Sequence, residues 1–187
     1  MAISEPSKPR LYLDIDGVVY GWYGGQWQMR PYVVTLVAWA TQHFDVKWLS
    51  FNSRREQIAS ILYAELPQGD MSHSDDPEES ERKGRWEKLR AIEREGDGIE
   101  GDWLIIEDTP PTLDAFKVLK ERNSLHKWVL VPETGADVLL DVKIILEQWL
   151  VDRKMRIPRY WKYADYKEKS LCLYDEWEGP REEQCEK

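Results

Sequence analysis

The stretch "RLYLDIDGVVYGW", residues 10–22, places a short strand-like segment directly before two carboxylates. Residues 11–13 have the character of a buried strand, and Asp14 and Asp16 follow at once. Burying a carboxylate is costly unless it is paired, protonated or bound to a metal. A chain with this sequence must therefore fold so that a compensating group reaches the end of its first strand.

Apolar segments of strand length alternate with amphipathic segments of helix length along the chain. A short hairpin around Gly24 and Gly25 is predicted for residues 18–29, between the first strand and the first helix. Strands that alternate with helices indicate an α/β fold, here a Rossmann-like, mostly parallel sheet flanked by helices. The predicted strands are residues 10–16, 45–51, 102–108 and 127–132, and the predicted helices are residues 30–44, 53–66, 81–95, 111–123 and 136–154.

The pattern divides the 187 residues into one domain and an appended segment. Residues 1–152 are predicted to form the domain, which is long enough to bury a substantial core. Within it, residues 67–80 are polar and rich in turn formers, which is typical of a surface loop. Residues 153–187 are dense in Tyr, Trp and charged side chains, and we expect a C-terminal extension that is partly disordered.

Polar side chains follow three of the predicted strands. Asp14 and Asp16 follow the first, Ser50 ends the second, and Glu107 and Asp108 end the third. The carboxyl ends of parallel strands meet at one edge of the sheet, where ligands bind. Carboxylates gathered there repel one another unless a cation lies among them, and oxygen ligands of this kind suit Mg²⁺. The sequence therefore predicts a magnesium and phosphate site at this edge.

These residues resemble, in order, the four motifs of the haloacid dehalogenase (HAD) superfamily of phosphatases. "LYLDIDGVVY" resembles the first motif, an apolar strand followed by DxDG, and "VKWLSFNS" resembles the second, with Ser50. "KLRAI" resembles the third, with Lys88, and "DWLIIEDTPP" resembles the fourth, with the acidic pair Glu107 and Asp108. The resemblance covers roughly residues 10–150 and implies a HAD-like fold.

The resemblance implies a two-step phosphoryl transfer. Asp14 would be the nucleophile that forms an aspartyl-phosphate, and Asp16 would be the general acid and then the general base. Mg²⁺ would be held by the side chains of Asp14 and Asp108 and the backbone carbonyl of Asp16, with Glu107 as a further candidate ligand. Without the other motifs, the two aspartates could simply cap the turn before Gly17.

The phosphate-binding residues leave alternatives open. The resemblance implies that Ser50 and Lys88 would hold the transferring phosphoryl group, whose charge must be stabilised in the transition state. Asn52 is a second candidate for binding the phosphate. The side chains that compete for these two roles are Asn52, Ser53, Lys83 and Arg85.

The predicted hairpin is the segment that would cover the site. Residues 18–30 and 54–87 are too short for a cap domain, so the resemblance implies a capless enzyme. Trp22, Tyr23 and Trp27 would form a substrate flap on the hairpin, where aromatic faces suit a nucleobase. Alternatively, these three residues only pack the hairpin onto the core.

We expect a Mg²⁺-dependent phosphomonoester hydrolase that acts on a nucleotide or a nucleic-acid end. Arg30, Arg54 and Arg55 would add cations near the mouth of the site. One alternative is a protein phosphatase of the same fold. Another is a non-catalytic phosphate-binding or interaction protein whose aromatic C-terminal extension is a docking surface.

The composition limits the partners and the compartment. A net charge of −9 argues against a broad nucleic-acid-binding surface. No apolar run approaches the roughly 18 residues needed to span a membrane, and "MAISEPSKPR" lacks the apolar core of a signal peptide. Cys172 and Cys185 lie in the polar C-terminal extension, which favours a reducing, cytoplasmic compartment over a disulfide framework. The oligomeric state is left open.

Overall fold

The structure, a computed structural model, describes residues 8–23, 25–50, 66, 67, 88–109, 111, 113–131 and 137–154. Residues 88–94 within this part are helical. The described strands are β1 (Arg10–Leu13), β2 (Tyr20–Tyr23), β3 (Gln26–Met29), β4 (Asp45–Trp48), β5 (Trp103–Glu107) and β6 (Trp128–Leu130). The described helices with defined bounds are α1 (Val33–His43), α2 (Leu113–Glu121) and α3 (Val138–Asp152), together with a 3-10 turn at Leu125–Lys127.

Four strands form one parallel sheet in the order β4-β1-β5-β6. β1 lies inside the sheet, and its last residue, Leu13, pairs with Trp48 of β4 and Ile106 of β5. β2 and β3 form a separate antiparallel hairpin. The predicted α/β class, the parallel sheet and the small hairpin are therefore confirmed.

The sheet is covered on both faces because the strand residues alternate between two apolar clusters. One cluster joins strand residues such as Leu13 and Ile106 to apolar residues of α1 and α3. The other joins Tyr12 and Ile105 to α2 and to Leu89 in the helical segment 88–94. Burial on both faces explains why the strands read as continuous apolar runs in the sequence.

The elements are shorter at their ends than the sequence predicts. β1 ends at Leu13 because the chain turns there, and the amides of Val19 and Tyr20 both donate to the carbonyl of Ile15. Helix α1 begins at Val33, not at residue 30, because its N-cap residue Tyr32 adopts a left-handed conformation with φ of 67°.

Several predictions lie wholly or largely outside the described residues. They concern the helix at 53–66, the loop at 67–80 and the first part of the helix at 81–95. The prediction that the enzyme has no cap domain depends largely on residues 54–87, most of which lie outside the described residues, as does the predicted extension beyond residue 154. Residues 66 and 67 are described between two undescribed segments. The carbonyl of Pro67 accepts a hydrogen bond of 2.9 Å from the amide of Trp48, the last residue of β4.

Within the described ranges, no helix combines the length and the apolar character needed to cross a membrane.

Candidate active site

The parallel register brings the ends of three strands to the same level. The amide of Asp14 donates to the carbonyl of Ile106 at 3.1 Å, and the amide of Leu49 donates to the carbonyl of Leu13 at 2.9 Å. Asp14, at the end of β1, therefore lies between the end of β5 and the residues after β4. This is the convergence that the sequence predicts for the carboxyl edge of a parallel sheet.

Lys88 joins two of the carboxylates at this edge. Its Nζ atom lies 3.0 Å from Oδ2 of Asp14 and 2.5 Å from Oε2 of Glu107. All three side chains are buried. Lys88 begins the described part of the helical segment 88–94, whose Leu89 and Ile92 anchor it in the core. The lysine selected from the sequence is therefore the cation that compensates the buried carboxylates.

Glu107 is held on both of its carboxylate oxygens. Lys88 donates to Oε2, and the hydroxyl of Thr109 donates to Oε1 at 2.8 Å. The backbone carbonyl of Thr109 in turn accepts a hydrogen bond of 3.0 Å from the indole N–H of the buried Trp128. The motifs of the sequence assign no role to Thr109, and its polar position directly after the acidic pair is the signal that points to it.

The site has the donor set of a divalent metal centre. Carboxylate oxygens of Asp14, Glu107 and Asp108 lie within 4.8 Å of one another. Three carboxylates beside one lysine leave an excess of negative charge, and such hard oxygen donors fit Mg²⁺. Lys88 contacts both Glu107 and Asp14, and Thr109 and Ser50 each add a hydrogen bond to one of them, so an ion held by the three carboxylates would share these oxygens with donors of the protein.

Burial and mutual repulsion shift the ionisation of this cluster. Burial, followed by the charge of Glu107, raises the pKa of Asp14 to about 7. Burial, followed by the charge of Asp14, also raises the pKa of Asp108. Burial alone would lower the pKa of Lys88, but the charges of Glu107 and Asp14 outweigh it and raise the pKa. The lysine stays charged, whereas the carboxylates repel one another.

The turn after β1 is in direct contact with one carboxylate of the acidic cluster, that of Asp108. Gly17 has a φ of +73°, and its amide donates to the carbonyl of Tyr20 at 2.7 Å. A Cβ atom at Gly17 would lie 1.8 Å from Oδ2 of Asp108. The glycine of the DxDG motif is therefore required both by its backbone conformation and by the space available.

Arg30 forms a hydrogen bond to the backbone of this turn. Its guanidinium donates to the carbonyl of Gly17 at 2.6 Å, and its side chain is only 5% exposed. The sequence predicts Arg30 as a cation near the mouth of the site, whereas in the structure it is buried against the turn. Arg54 and Arg55, the other two, lie outside the described residues.

The remaining predicted polar residues have different placements. The hydroxyl of Ser50 is buried and donates to the carboxylate of Asp14. Asp16 is half-buried in the turn and bridges to Tyr20 through its backbone, and its side chain is outside the three-carboxylate cluster. Asn52 lies outside the described residues, as do its competitors Ser53, Lys83 and Arg85.

The hairpin carries exposed aromatic rings. Trp22 and Trp27 pair across β2 and β3 and are 61% and 52% exposed. Tyr23 lies at the end of β2. The two tryptophan rings therefore lie largely outside the core.

No model of a known protein family matches this sequence, and a comparison with curated proteins gives no match. The chemistry of the site must therefore be inferred from its own residues and geometry.

Proposed function

We propose that this domain is a HAD-like phosphatase, a Mg²⁺-dependent phosphomonoester hydrolase that works through an aspartyl-phosphate. The observation that carries the proposal is the contact of Lys88 with Asp14, at 3.0 Å, beside Glu107 and Asp108. A buried lysine and a buried serine hydroxyl on the same aspartate supply the donors that a transferring phosphoryl group needs.

In the first step, a carboxylate oxygen of Asp14 attacks phosphorus, and the bond from phosphorus to the ester oxygen breaks. Asp16 gives its proton to that oxygen, so the alcohol leaves neutral. In the second step, the Asp16 carboxylate takes a proton from water as the water oxygen attacks phosphorus. Inorganic phosphate leaves, and Asp14 is again a carboxylate.

The other residues bind and orient. Lys88 and Ser50 hold the negative oxygens of the phosphoryl group and keep Asp14 in place. Glu107, fixed by Thr109, orients Lys88. Asp14 and Asp108, with the backbone carbonyl of Asp16, would hold Mg²⁺, which when bound neutralises the carboxylates and draws charge from the phosphoryl oxygens.

The favoured substrate is a nucleotide or the terminal phosphate of a nucleic acid. The hairpin with Trp22 and Trp27 begins at Tyr20, directly after the turn that touches Asp108. Exposed indole rings next to a phosphate site suit a substrate that carries a flat base.

The test is phosphate release in Mg²⁺ from an aryl phosphate, nucleoside monophosphates, a 3′-phosphorylated oligonucleotide and a phosphopeptide. We expect release by the native protein and by Glu147→Gln, which changes a carboxylate of an ion pair on α3. Asp14→Asn should abolish it. Asp16→Asn should accumulate the aspartyl-phosphate when it is given a radiolabelled aryl phosphate. The good leaving group needs no proton from residue 16, whereas hydrolysis of the intermediate needs Asp16 as base, so radiolabelled phosphate should remain on the protein after an acid quench.

Two results would contradict the proposal. One is phosphate release that persists in Asp14→Asn, and the other is no release from any substrate of the panel in Mg²⁺. A preference for the phosphopeptide would keep the chemistry and indicate a protein phosphatase.

A further inference from the structure

One face of the β2–β3 hairpin passes from the core into solvent. Tyr20 pairs with Met29 and Trp22 pairs with Trp27, so that these four side chains share one face of the ribbon. Tyr20 and Met29 pack against the core cluster, whereas Trp22 and Trp27, farther along the same face, are 61% and 52% exposed. The apolar face therefore continues beyond the part that the protein itself covers.

The two indoles form a fixed corner, here called the tryptophan corner. The ring centroids of Trp22 and Trp27 lie 6.5 Å apart with their planes at 79°. Tyr20 stacks on Trp27 at 6.0 Å, and its hydroxyl donates to the carbonyl of Trp27 at 3.1 Å. Because neighbouring rings hold the corner in place, a ligand that binds there orders few additional side chains.

The chemistry of the hairpin selects a flat ring. Residues 18–29 contain no charged side chain, although the chain has a net charge of −9. The amides of Gln26 and Gln28 bond to each other and alternate onto the opposite face, away from the tryptophan corner. A sugar needs polar partners beside it, and the one hydroxyl among the four side chains of this face, that of Tyr20, already bonds to the carbonyl of Trp27. A stable protein partner needs about 800 Å² of surface on each side, which two indole rings do not provide. A nucleobase binds by stacking alone.

The tryptophan corner is close to the carboxylate site along the chain. Gly17 touches Asp108, and its amide bonds to the carbonyl of Tyr20. Trp22 follows two residues later, about 7 Å along an extended strand. The contacts of Gly17 thus connect Asp108 directly to the strand that carries Trp22.

We infer that Trp22 and Trp27 bind the base of a nucleotide whose phosphomonoester lies at Asp14 and Asp108. The inference rests on the proposed function for the reacting group and its substrate class, and it adds the two side chains that bind the base. A free nucleotide and the last nucleotide of a strand offer the same base and phosphate.

The test compares two phosphomonoesters that differ in the base. The full chain is assayed for kcat/KM on a nucleoside 5′-monophosphate and on ribose 5-phosphate. Trp22→Ala should lower the value for the nucleotide roughly 10- to 100-fold, the range expected for losing one stacked base. It should leave the value for ribose 5-phosphate within about twofold, because no base is present to stack.

Two further variants separate stacking from folding. Trp22→Phe keeps a flat ring and should recover most of the activity on the nucleotide. Ile144→Ala removes a half-exposed apolar side chain from α3 and should leave kcat/KM unchanged for both substrates. A nucleoside 3′-monophosphate and a 3′-phosphorylated oligonucleotide then distinguish a free nucleotide from a strand end.

The inference and the proposed function fail differently. If both esters are hydrolysed and the ratio of their kcat/KM values is the same in native protein and in Trp22→Ala, the proposed hydrolase is supported and base binding by the tryptophan corner is contradicted. If nothing is hydrolysed, calorimetric titration of the nucleotide in Mg²⁺ decides. Binding that Trp22→Ala weakens supports the corner without the hydrolase, and absence of binding overturns the corner as well.

Discussion

Gly17 and Asp108 meet at a distance that leaves no room for a side chain on the glycine. A Cβ at residue 17 would lie 1.8 Å from Oδ2 and 2.2 Å from Cγ of Asp108. The turn after β1 and the residue after β5 therefore fix each other, although 91 positions separate them along the chain. The carboxylate edge is thus a packed unit as well as a set of charges.

Gly17→Ala should lower the free energy of unfolding by about 2–4 kcal/mol and displace Asp108. The left-handed backbone costs a side chain about 1–2 kcal/mol, and the overlap with the carboxylate adds a similar amount. Urea denaturation measures the first effect. Calorimetric titration with Mg²⁺ measures the second as weaker binding.

Gly25→Ala is the matched control because Gly25 also has a positive φ, of +83°, but nothing lies within 4 Å of its added Cβ. It should cost only the conformational penalty of about 1–2 kcal/mol and leave Mg²⁺ binding unchanged. Equal losses of stability in the two variants would show that the contact with Asp108 has no energetic weight.

Lys88→Met should destabilise the protein by about 3–5 kcal/mol, because it leaves Asp14 and Glu107 buried without their cation. Adding Glu107→Gln should recover part of the loss, since one uncompensated charge is then gone. Lys143→Met, which breaks the half-buried i,i+4 pair with Glu147 on α3, should cost no more than about 1 kcal/mol. Chemical denaturation of the three variants measures these differences, and a similar cost at both lysines would contradict a buried charge network.

The sheet and the position of the carboxylates could be predicted because they depend on patterns within single segments. Alternating apolar strands and helices indicate a parallel sheet, and a parallel sheet brings Asp14 and Asp108 to one edge. The resemblance to the third motif indicates Lys88, and the structure places its ammonium beside Asp14 and Glu107, while the competing Lys83 and Arg85 lie outside the described residues. These inferences require no knowledge of how loops bend.

The contacts of Arg30 and Thr109 depend on the exact course of two turns. The sequence shows that a polar residue follows the acidic pair, but not that its hydroxyl binds Glu107. The sequence predicts Arg30 as a cation near the mouth of the site, and only the left-handed turn at Gly17 brings a carbonyl to its guanidinium. Tyr32 likewise adopts a left-handed conformation that delays the start of α1 to Val33, and helix propensities do not predict this conformation. Segmental patterns carry no information on such contacts.

Thr109→Val should destabilise the protein by about 1–3 kcal/mol, because the shape is kept while a buried oxygen of Glu107 loses its donor. It should also lower phosphatase activity, since Lys88 is then held by a less fixed carboxylate. Thr109→Ser keeps the hydroxyl and should restore both properties. Thermal denaturation with parallel assays tests this, and a serine variant as impaired as the valine variant would assign the effect to packing.

Without metal, stability should fall as the pH rises from about 4 to about 7. Burial and Glu107 raise the pKa of Asp14 to about 7 in the folded protein, above the ordinary value of about 4 that it regains on unfolding. Between these values the folded state binds the extra proton, so its stability is greatest at the acidic end and is lost through pH 7. The shifts of Glu107 and Asp108 have the same sign, and Lys88 stays charged across this range.

Denaturation in a chelator at several pH values measures this slope, on the order of 4 kcal/mol from Asp14. In Asp14→Asn the slope should be smaller by about that amount, because the amide does not titrate, and the difference between the two curves isolates Asp14 from all other groups. Mg²⁺ should reverse the trend in the native protein, since the ion binds the deprotonated carboxylates and stabilises the fold more at pH 7.5 than at pH 5. Parallel curves for native protein and Asp14→Asn would mean that Asp14 ionises normally and that the cluster is compensated without a metal.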